Sequence, residues 1–432
     1  MNYSETIAYL YEQLPMFSKE GESAYKKDVT NTLLLCEKLG HPQHHFKTIH
    51  IAGTNGKGST SHMLAAILQT AGYKTGLYTS PHLKDFRERI KVNGQLCSEA
   101  FIVSFTEQIM PAIESIQPSF FEITVAMAFD YFAQQQVDIA VIETGLGGRL
   151  DSTNIIIPEL SVITNIGWDH MNLLGNTLEA IAAEKAGIIK NNIPVVIGEI
   201  ISETKPVFEK TAQQHSAPIV YAQEQYALLN YQQTLMALTV TVRNNSKDLT
   251  ETYTLDLPGL YQNNNLITVL TAVEQLNKKG WNLQENFIQT GLANTKKITG
   301  LHGRWELLHQ HPNVIADVAH NEAGIQQLLQ QVAICTYHCL HIVFGMVKDK
   351  DASLVLKLLP ENATYYFTQA HIPRALEVLS LKEKAQKFGL TGNTYGHVNE
   401  AVQAAIQVAK ENDLIVVCGS VFLIAEIDTE KW

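Results

Sequence analysis

Short apolar runs rich in valine and isoleucine alternate along this chain with longer stretches whose apolar residues recur at helical spacing. The first half contains five such runs, predicted as strands at 48–52, 74–79, 138–143, 160–166 and 193–197. Their nearly continuous apolar character is typical of strands that are buried on both faces. Strands that alternate with helices predict an α/β fold with a doubly wound, mostly parallel sheet.

The pattern changes after residue 221. Polar and apolar positions alternate at 235–242 and 252–257, which predicts antiparallel strands at a sheet edge. A helical pattern follows at 263–278 and is ended by Gly280.

Strand-like runs with helical patterns between them begin again in the last third of the chain, at 314–318, 341–344, 364–368 and 414–418. This second set is long enough for a domain of its own. We therefore expect a first domain over 1–298 and a second, smaller α/β domain over 299–432, with the polar, glycine-containing segment 296–304 as the linker.

The first predicted strand leads into a glycine-rich turn and then into a helical pattern. The turn and the start of the helix contain Gly53, Thr54, Asn55, Gly56, Lys57, Gly58, Ser59 and Thr60. Glycines let backbone N–H groups point toward an anion, and a helix N-terminus adds the positive end of its dipole. Lys57 supplies a charge for the outer phosphates, and Ser59 or Thr60 can place a hydroxyl on Mg²⁺. The sequence therefore predicts a nucleotide-phosphate loop, to which an ordinary glycine-rich turn is the alternative.

The spacing of this turn differs from that of the general phosphate loop, which reads Gly, four residues, Gly-Lys-Ser/Thr. Gly53 stands only four positions before Lys57, and Gly58 separates Lys57 from Ser59. Because of this difference we do not expect a kinase or a GTPase.

Composition narrows the function classes further. The 432 residues are 45% hydrophobic and 17% charged, with a net charge of −11, which argues against a nucleic-acid partner. We expect no membrane association, because no apolar run reaches spanning length and the N-terminus lacks the pattern of a secretory signal. The five scattered cysteines favour free thiols in a reducing cytoplasm. Cys335 and Cys339 lack the spacing of a closed zinc site.

Other polar side chains follow predicted strands or lie on a helical stretch. Glu143 ends a buried strand before a glycine-rich turn, where it can hold Mg²⁺ or serve equally well as a helix-capping or ion-paired carboxylate. Ser80 and His170 also follow strands, and Lys185 lies in a helical stretch that is typical of a solvated lysine. Because ligands of doubly wound sheets bind at the carboxyl ends of the strands, these residues together predict one site.

The chain resembles the folylpolyglutamate synthases and their bifunctional dihydrofolate synthase forms, within the Mur ligase superfamily. The resemblance covers nearly the whole chain. It rests on matching stretches at 52–59, 80–83, 88–90, 121–122 with 124, 143–149 with 151 and 153–154, 169–170, 185–188, 303–304, and 317 with 319–321. It implies a Mur ligase-like ATP-binding domain followed by a C-terminal domain. One departure is Val318, where members of the family often have glycine.

The resemblance implies roles for individual residues. Asn55 to Ser59 would hold the phosphates of ATP. Ser80 and Glu143 would bind one Mg²⁺, while Glu143 and His170 would bind a second, with Lys185 as a carbamylated lysine. The residues implied to contact the rest of ATP are Gln262, Asn265, Arg304, Asp317 and His320.

The implied reaction is ATP-dependent ligation of L-glutamate to dihydropteroate or to a folate through an acyl phosphate, and we expect a bifunctional, monomeric enzyme. The pterin is expected near Phe120, Phe121 and Glu122 and near 80–89, although both aromatic residues fit a core equally well.

Two other functions stay open. A Mur-type ligase of UDP-linked peptidoglycan precursors usually has an extra N-terminal domain, and only about 45 residues precede the phosphate loop, too few for such a domain. A non-catalytic nucleotide-binding protein would not need Glu143, His170, Lys185 and Arg304 together.

Overall fold

The computed structural model describes residues 1–14, 28–348 and 350–432. It divides into two compact units. The first comprises Met1–Gln232, Thr239–Asp256 and Tyr261–Leu301. The second comprises Gln233–Leu238, Leu257–Leu260 and His302–Trp432.

An eight-stranded sheet forms the centre of the first unit. Its strands are β1 (Lys47–Ala52), β2 (Thr75–Tyr78), β3 (Ile90–Val92), β4 (Gln95–Leu96), β5 (Ile139–Glu143), β6 (Leu160–Ile163), β7 (Val195–Ile197) and β8 (Ile219–Tyr221). They follow the order β4-β3-β2-β5-β1-β6-β7-β8. Six strands are parallel, namely β2, β5, β1, β6, β7 and β8. Strands β3 and β4 extend one edge in antiparallel pairing. The predicted doubly wound, mostly parallel sheet is confirmed.

The helices of the first unit are α1 (Tyr3–Gln13), α2 (Thr30–Lys38), α3 (Lys57–Thr70), α4 (Glu99–Ile116), α5 (Phe120–Gln134), α6 (Met171–Leu174), α7 (Leu178–Ala186), α8 (Lys205–Gln214), α9 (Ala222–Gln225), α10 (Gln262–Lys278), α11 (Glu285–Ala293) and α12 (Thr295–Thr299). One apolar cluster includes residues of α1, α2, α4 and α5, and another includes residues of α7 and α8. Helix α12 lies inside the segment that the sequence suggested as a linker. Its last turn is held by Lys91, whose Nζ donates to the carbonyl of Thr299 at 2.7 Å.

Strands β9 (Tyr226–Gln233), β10 (Leu238–Asn244) and β11 (Leu249–Leu255) form a separate three-stranded sheet in the order β11-β10-β9. The hydroxyl pairs Thr239–Thr254 and Thr241–Thr252 show that β10 and β11 run antiparallel. The expectation that these strands lie at the edge of a larger sheet was wrong. The alternating burial along β10 gives this small sheet one buried face of its own.

The second unit contains a six-stranded sheet. Its strands are β12 (Glu306–His309), β13 (Asn313–Ala316), β14 (Leu340–Phe344), β15 (Thr364–Phe367), β16 (Gly392–Thr394) and β17 (Leu414–Cys418). The order is β12-β13-β17-β14-β15-β16, parallel except for β12. Its helices are α13 (Glu322–Ala333), α14 (Ala352–Leu356), α15 (Val378–Gln386), α16 (Val398–Val408) and α17 (Val421–Ala425).

The last strand, β17, ends at Cys418 as its apolar run predicts, and helix α17 begins three residues later at Val421. The Ser420 hydroxyl accepts a hydrogen bond from the Phe422 amide and caps that helix. Among the described residues, no helix combines the length and apolar character needed to cross a membrane.

Candidate active site

The predicted phosphate loop lies between β1 and α3. Gly56 precedes the helix with φ of +79°, and no side chain caps the first turn. The first N–H groups of a helix have no partner within the helix, so this turn presents donors suited to an anion. A methyl group on Gly56 would overlap the side-chain oxygen of Asn265. Glycine is therefore required here both by the backbone angle and by the neighbouring side chain.

Two lysines converge on one carbonyl group in this loop. Lys57 Nζ lies 3.1 Å from the carbonyl oxygen of Gly53, and Lys185 Nζ lies 2.9 Å from the same atom. Lys57 also donates to the carbonyl of Thr54 at 3.2 Å. The two ammonium groups can be no farther apart than the sum of their distances to the shared oxygen. The structure thus places the ammonium group of Lys185 against the phosphate loop.

Helix α7 accounts for the position of Lys185. Its buried face includes Ile181, Ala182, Lys185 and Ala186, so the lysine shares the face that packs into the protein. Only 4% of Lys185 is exposed. This burial rules out the alternative of a solvated surface lysine, which is typical of a lysine in such a helical stretch. Ile181, four residues earlier on the same face, is the signal that could have excluded it.

The residues that follow β6 also support the phosphate loop through hydrogen bonds. The Thr54 amide donates to the carbonyl of Asn165 at 3.0 Å, and the Asn55 amide donates to the side-chain oxygen of Asn165 at 2.8 Å. The Thr164 hydroxyl donates to the carbonyl of Asn55 at 2.6 Å. Thr164 and Asn165 lie inside the predicted strand 160–166 and were therefore not among the candidate site residues. Since the Asn55 amide is engaged by Asn165, the amides from residue 56 onward are the better candidates to meet a phosphate.

Glu199, which follows β7, is a second residue that the sequence analysis missed. Its Oε1 accepts hydrogen bonds from the side-chain amides of Asn264, at 3.2 Å, and of Asn165, at 3.4 Å. Burial raises the pKa of the Glu199 carboxyl group. Through these contacts the start of α10 is joined to the residues that support the loop.

Helix α10 also contributes the two amides that were expected to meet adenine. Gln262 Nε2 donates to the Ser59 hydroxyl at 3.1 Å, and Asn265 Nδ2 donates to Gln262 Oε1 at 2.7 Å. Both side chains are buried. In this structure they contact the phosphate loop itself: Gln262 bonds to Ser59, the expected phosphate or metal ligand, and Asn265 lies beside Gly56.

Glu143 and Ser80 lie at the same edge of the sheet as the loop. Glu143 ends β5, pairs with Ile51 of β1 and is buried. The amide of Thr144 donates to the carbonyl of Ile51 at 2.9 Å. Ser80 follows the neighbouring strand β2 by two residues. Parallel strands therefore bring both side chains to the edge that carries the phosphate loop, as expected for strand ends.

The glycine-rich turn after Glu143 packs against the end of α7. The amide of Arg149 donates to the carbonyl of Glu184 at 2.7 Å. A methyl group on Gly148 would lie 2.9 Å from the carbonyl oxygens of both Glu184 and Lys185. The lack of a side chain at Gly148 therefore allows this turn to approach the backbone of Lys185 closely.

His170 lies at the start of α6, where its φ is +50°. Its Nε2 is 3.8 Å from Asp169 Oδ2. Three residues earlier, the amide of Gly167 donates to the Thr54 hydroxyl at 2.9 Å, so this segment begins at the phosphate loop.

Only one of the residues expected to hold Mg²⁺, Glu143, has a carboxylate side chain. Among the described parts of the chain, no group of three or more His, Cys, Asp and Glu side chains has the arrangement of a metal site. Mg²⁺ keeps several waters and commonly uses one or two carboxylates together with substrate phosphates. A buried carboxylate at Glu143 beside a phosphate loop fits that ion.

Of the three expected ATP-binding residues of the second unit, Asp317 and His320 follow β13, and Arg304 precedes the paired strand β12. Asp317 Oδ2 accepts from the amide of Trp305 at 2.8 Å, and Oδ1 accepts from the amide of Ala319 at 2.9 Å. Arg304 donates to the carbonyl of Gly303 at 3.2 Å. His320 Nδ1 donates to the carbonyl of Val318 at 2.8 Å. Asp317 therefore holds the backbone of Trp305, directly after Arg304, and that of Ala319, directly before His320.

The aromatic residues expected near a pterin have different environments. Phe120 is buried and packs against Tyr11, Phe86 and Arg89, so it belongs to the core. Phe121 is half-buried, and its ring lies directly over Gly145.

Glu122 is a structural residue. It completes the capping box of α5 by accepting a hydrogen bond from the Ser119 amide at 2.6 Å.

His82, within the expected pterin region, is held between two polar side chains. Arg89 Nε donates to His82 Nδ1 at 2.8 Å, and His82 Nε2 lies 3.2 Å from the Tyr11 hydroxyl. Burial and the charge of Arg89 lower the pKa of His82 to about 3. At neutral pH this histidine is therefore an uncharged acceptor for the guanidinium.

Two family models match the chain. The Mur ligase middle domain matches residues 51–273, and the Mur ligase glutamate ligase domain matches residues 303–421. The dihydrofolate synthase/folylpolyglutamate synthase of Bacillus subtilis is 34% identical over 98% of this chain and 98% of its own length. The chain belongs to the folylpolyglutamate synthase branch of the Mur ligase family.

Other members of this family show the same full-length agreement. The folylpolyglutamate synthase of Lacticaseibacillus casei is 32% identical over 99% of this chain and 98% of its own length. The structure of Escherichia coli FolC in complex with DHPP and ADP has 31% identity and a TM-score of 0.84, covering 98% of this chain and 96% of that one. The Mycobacterium tuberculosis folylpolyglutamate synthase complexed with ADP and AMPPCP has 30% identity and a TM-score of 0.86, covering 100% and 99%. The family resemblance and the fold class predicted from the sequence are confirmed.

Proposed function

We infer that this folylpolyglutamate synthase family member is an ATP-dependent ligase that joins L-glutamate to a folate-type acceptor. The observation that carries this inference is the convergence of Lys57 and Lys185 on the Gly53 carbonyl, at the sheet edge that also holds Glu143. Relatives that match the whole chain bear the names of such synthases, and related structures contain ADP. This function is favoured over a UDP-peptide ligase and over a non-catalytic nucleotide-binding protein.

The proposed reaction has two steps. A carboxylate oxygen of the acceptor attacks the γ-phosphorus of ATP, the bond to the β-phosphate oxygen breaks, and ADP leaves. The α-amine of glutamate then attacks the carbonyl carbon of the acyl phosphate and loses a proton, and inorganic phosphate departs as the amide forms. Since both partners of the first step are anions, Lys57 and the amides of the first turn of α3 serve to neutralise and orient the phosphates.

We assign Mg²⁺ to the edge formed by Ser59, Ser80, Glu143 and His170. When bound there, the ion would supply positive charge to the phosphate oxygens. Glu143 is the carboxylate in this set, so its buried position beside Ile51 fixes the place of the negative charge that would attract the ion.

Lys185 is proposed to act as a carbamate. An ammonium group cannot ligate a metal, whereas addition of CO₂ to the Lys185 amine with loss of a proton gives an anionic group that can. The change would also replace two neighbouring positive charges at the Gly53 carbonyl by one pair of opposite sign. The burial of Lys185 beside Lys57 supports this proposal.

We keep the remaining roles as proposals. Gln262 and Asn265 would contact adenine, and Arg304, Asp317 and His320 would also contact ATP. The ordered backbone around Asp317 supports the last assignment, because it fixes the positions from which Arg304 and His320 extend. We also propose that the enzyme is monomeric and cytoplasmic and has no nucleic-acid or membrane partner.

The acceptor is proposed to be both dihydropteroate and reduced folate. The purified full-length protein would be given ATP, Mg²⁺ and L-glutamate with dihydropteroate, tetrahydrofolate or a UDP-linked peptidoglycan precursor, and glutamylated product would be measured by mass spectrometry. Product with both pterins supports the bifunctional assignment. Product with only one pterin restricts the enzyme to that acceptor and overturns the bifunctional assignment. Product only with the UDP-linked compound, or no phosphate release with any acceptor, overturns the folate assignment.

A further inference from the structure

His50 is a buried titratable residue to which the proposed reaction gives no role. It lies on β1, three residues before Gly53, and its side chain has no exposed surface. Its Nε2 lies 2.8 Å from the hydroxyl oxygen of Thr153. Burying a polar side chain in a central strand costs free energy unless the side chain is hydrogen-bonded, and the contact with Thr153 supplies that hydrogen bond.

The directions of the hydrogen bonds follow from the number of protons available. The Thr153 hydroxyl donates its one proton to Asp151 Oδ1 at 2.5 Å. The same hydroxyl must therefore accept from His50, which makes Nε2 the protonated nitrogen of a neutral imidazole. Burial lowers the pKa of His50 to about 3, in agreement with a neutral ring.

Asp151 carries the connection to the glycine-rich turn. Its Oδ1 also accepts from the amide of Thr153 at 3.0 Å, and its Oδ2 accepts from the amide of Leu146 at 2.8 Å. Leu146 lies three residues after Glu143, and the ring of Phe121 covers the adjacent Gly145. A continuous series of hydrogen bonds therefore runs from the strand before the phosphate loop to the turn after Glu143.

We propose that His50 is a positioning residue that, through Thr153 and Asp151, fixes the turn at Gly145 and Leu146 relative to the strand that carries the phosphate loop. The consequence is a constant separation between the loop that holds ATP and the turn that follows Glu143, over which the Phe121 ring lies. This inference rests on the proposed function, because its test uses the glutamate ligation reaction.

The test compares steady-state constants of the wild-type protein with those of His50→Leu and His50→Gln. Leucine removes the donor, so the KM for the pterin acceptor and the Mg²⁺ concentration for half-maximal rate are expected to rise about tenfold, the size of effect seen when partners of metal ligands are removed. The KM for ATP should change less than about twofold. Glutamine retains an N–H donor for Thr153 and should restore most of the loss.

A second pair of variants makes the test independent of the folding of His50→Leu. Thr153→Val removes the hydroxyl with little change in shape and should reproduce the change in acceptor KM, while Thr153→Ser should not. His341→Leu is the matched control: His341 is a buried strand histidine of the second unit, bonded to the Tyr366 hydroxyl at 3.1 Å. That control should lower the melting temperature and leave the KM values unchanged.

The outcomes separate the two hypotheses. If Thr153→Val, Thr153→Ser and the His50 variants share the wild-type KM values and Mg²⁺ dependence, the positioning role is wrong even where the melting temperature falls. If the wild-type protein glutamylates neither pterin, the proposed function fails instead.

Discussion

Lys57 and Lys185 donate to the same backbone oxygen, that of Gly53, from helices that begin about 120 positions apart in the sequence. Two positive charges this close repel each other, and a nearby anion offsets that repulsion. We propose that the phosphates of ATP are one such anion, and the first two predictions test this role of the pair.

Lys185→Ala should abolish ligation, because the proposed carbamate would be lost. We expect turnover to fall at least about a hundredfold and to recover partly when acetate, formate or a high concentration of bicarbonate is added. Phosphate release and glutamylated product would both be measured. Full activity in the unsupplemented variant would remove Lys185 from the mechanism.

Lys57→Ala should also lose turnover, by about 10²–10³-fold, since it removes a positive charge from the phosphates. The contrast with Lys185 lies in the rescue: small carboxylic acids add negative charge and should not restore this variant. Rates near those of the wild-type protein, or rescue equal to that of Lys185→Ala, would contradict the proposed phosphate contact.

Gly56→Ala should weaken ATP binding strongly. The added methyl group would overlap the side chain of Asn265 and would also occupy a backbone conformation with positive φ. Gly40→Ala is the matched control, because Gly40 has nearly the same φ, +76° against +79°, and nothing lies within 4 Å of the added carbon. Isothermal titration with ADP would compare them; equal affinities would show that the contact with Asn265 has no effect on the nucleotide.

His170→Ala should raise the Mg²⁺ concentration needed for half-maximal rate, because the proposed metal edge would lose its imidazole. The rate at saturating Mg²⁺ would fall less than the rate at low Mg²⁺. His215→Ala serves as control, since His215 is a half-buried histidine bonded to the Asn191 side chain. A Mg²⁺ titration identical to that of the wild-type protein would exclude His170 as a ligand.

The burial of His50 predicts how stability depends on pH. Its pKa is about 3 in the folded protein, against about 6.5 when unfolded, so the unfolded state binds more protons between these values. The stability that the neutral ring retains above pH 6.5 is lost as the pH falls toward 3, with a slope of up to about 1.4 kcal/mol per pH unit.

The His50→Gln variant should therefore lose less stability than the wild-type protein between pH 7 and pH 4.5. Urea unfolding at several pH values measures this difference. Parallel pH dependences for the two proteins would show that His50 does not titrate in this window.

Much of the central sheet could be predicted because its strands are continuous apolar runs. Strand β1 begins one residue before its predicted start and ends where expected, while β6 ends three residues early, because Thr164 and Asn165 turn toward the phosphate loop. The independence of the three-stranded sheet could not be read from alternation alone. Alternation shows that one face is buried but does not show which other strands are neighbours.

The candidate site was only partly visible in the sequence. Glycines and a lysine after a strand identified the loop, since that chemistry is local. Asn165 and Gln262 bond to the phosphate loop from segments more than a hundred residues away along the chain. Glu199 supports the loop indirectly, through Asn165. Such contacts depend on the order of strands in the sheet, which no local pattern determines.

The hydrogen bonds from Thr164 and Asn165 shape the phosphate loop during folding, before any nucleotide arrives. The conformational entropy of this segment is lost at that stage, so ATP need not order it on binding. A substitution such as Asn165→Ala would therefore lower nucleotide affinity through a larger entropic penalty, without the removal of any direct contact to the ligand.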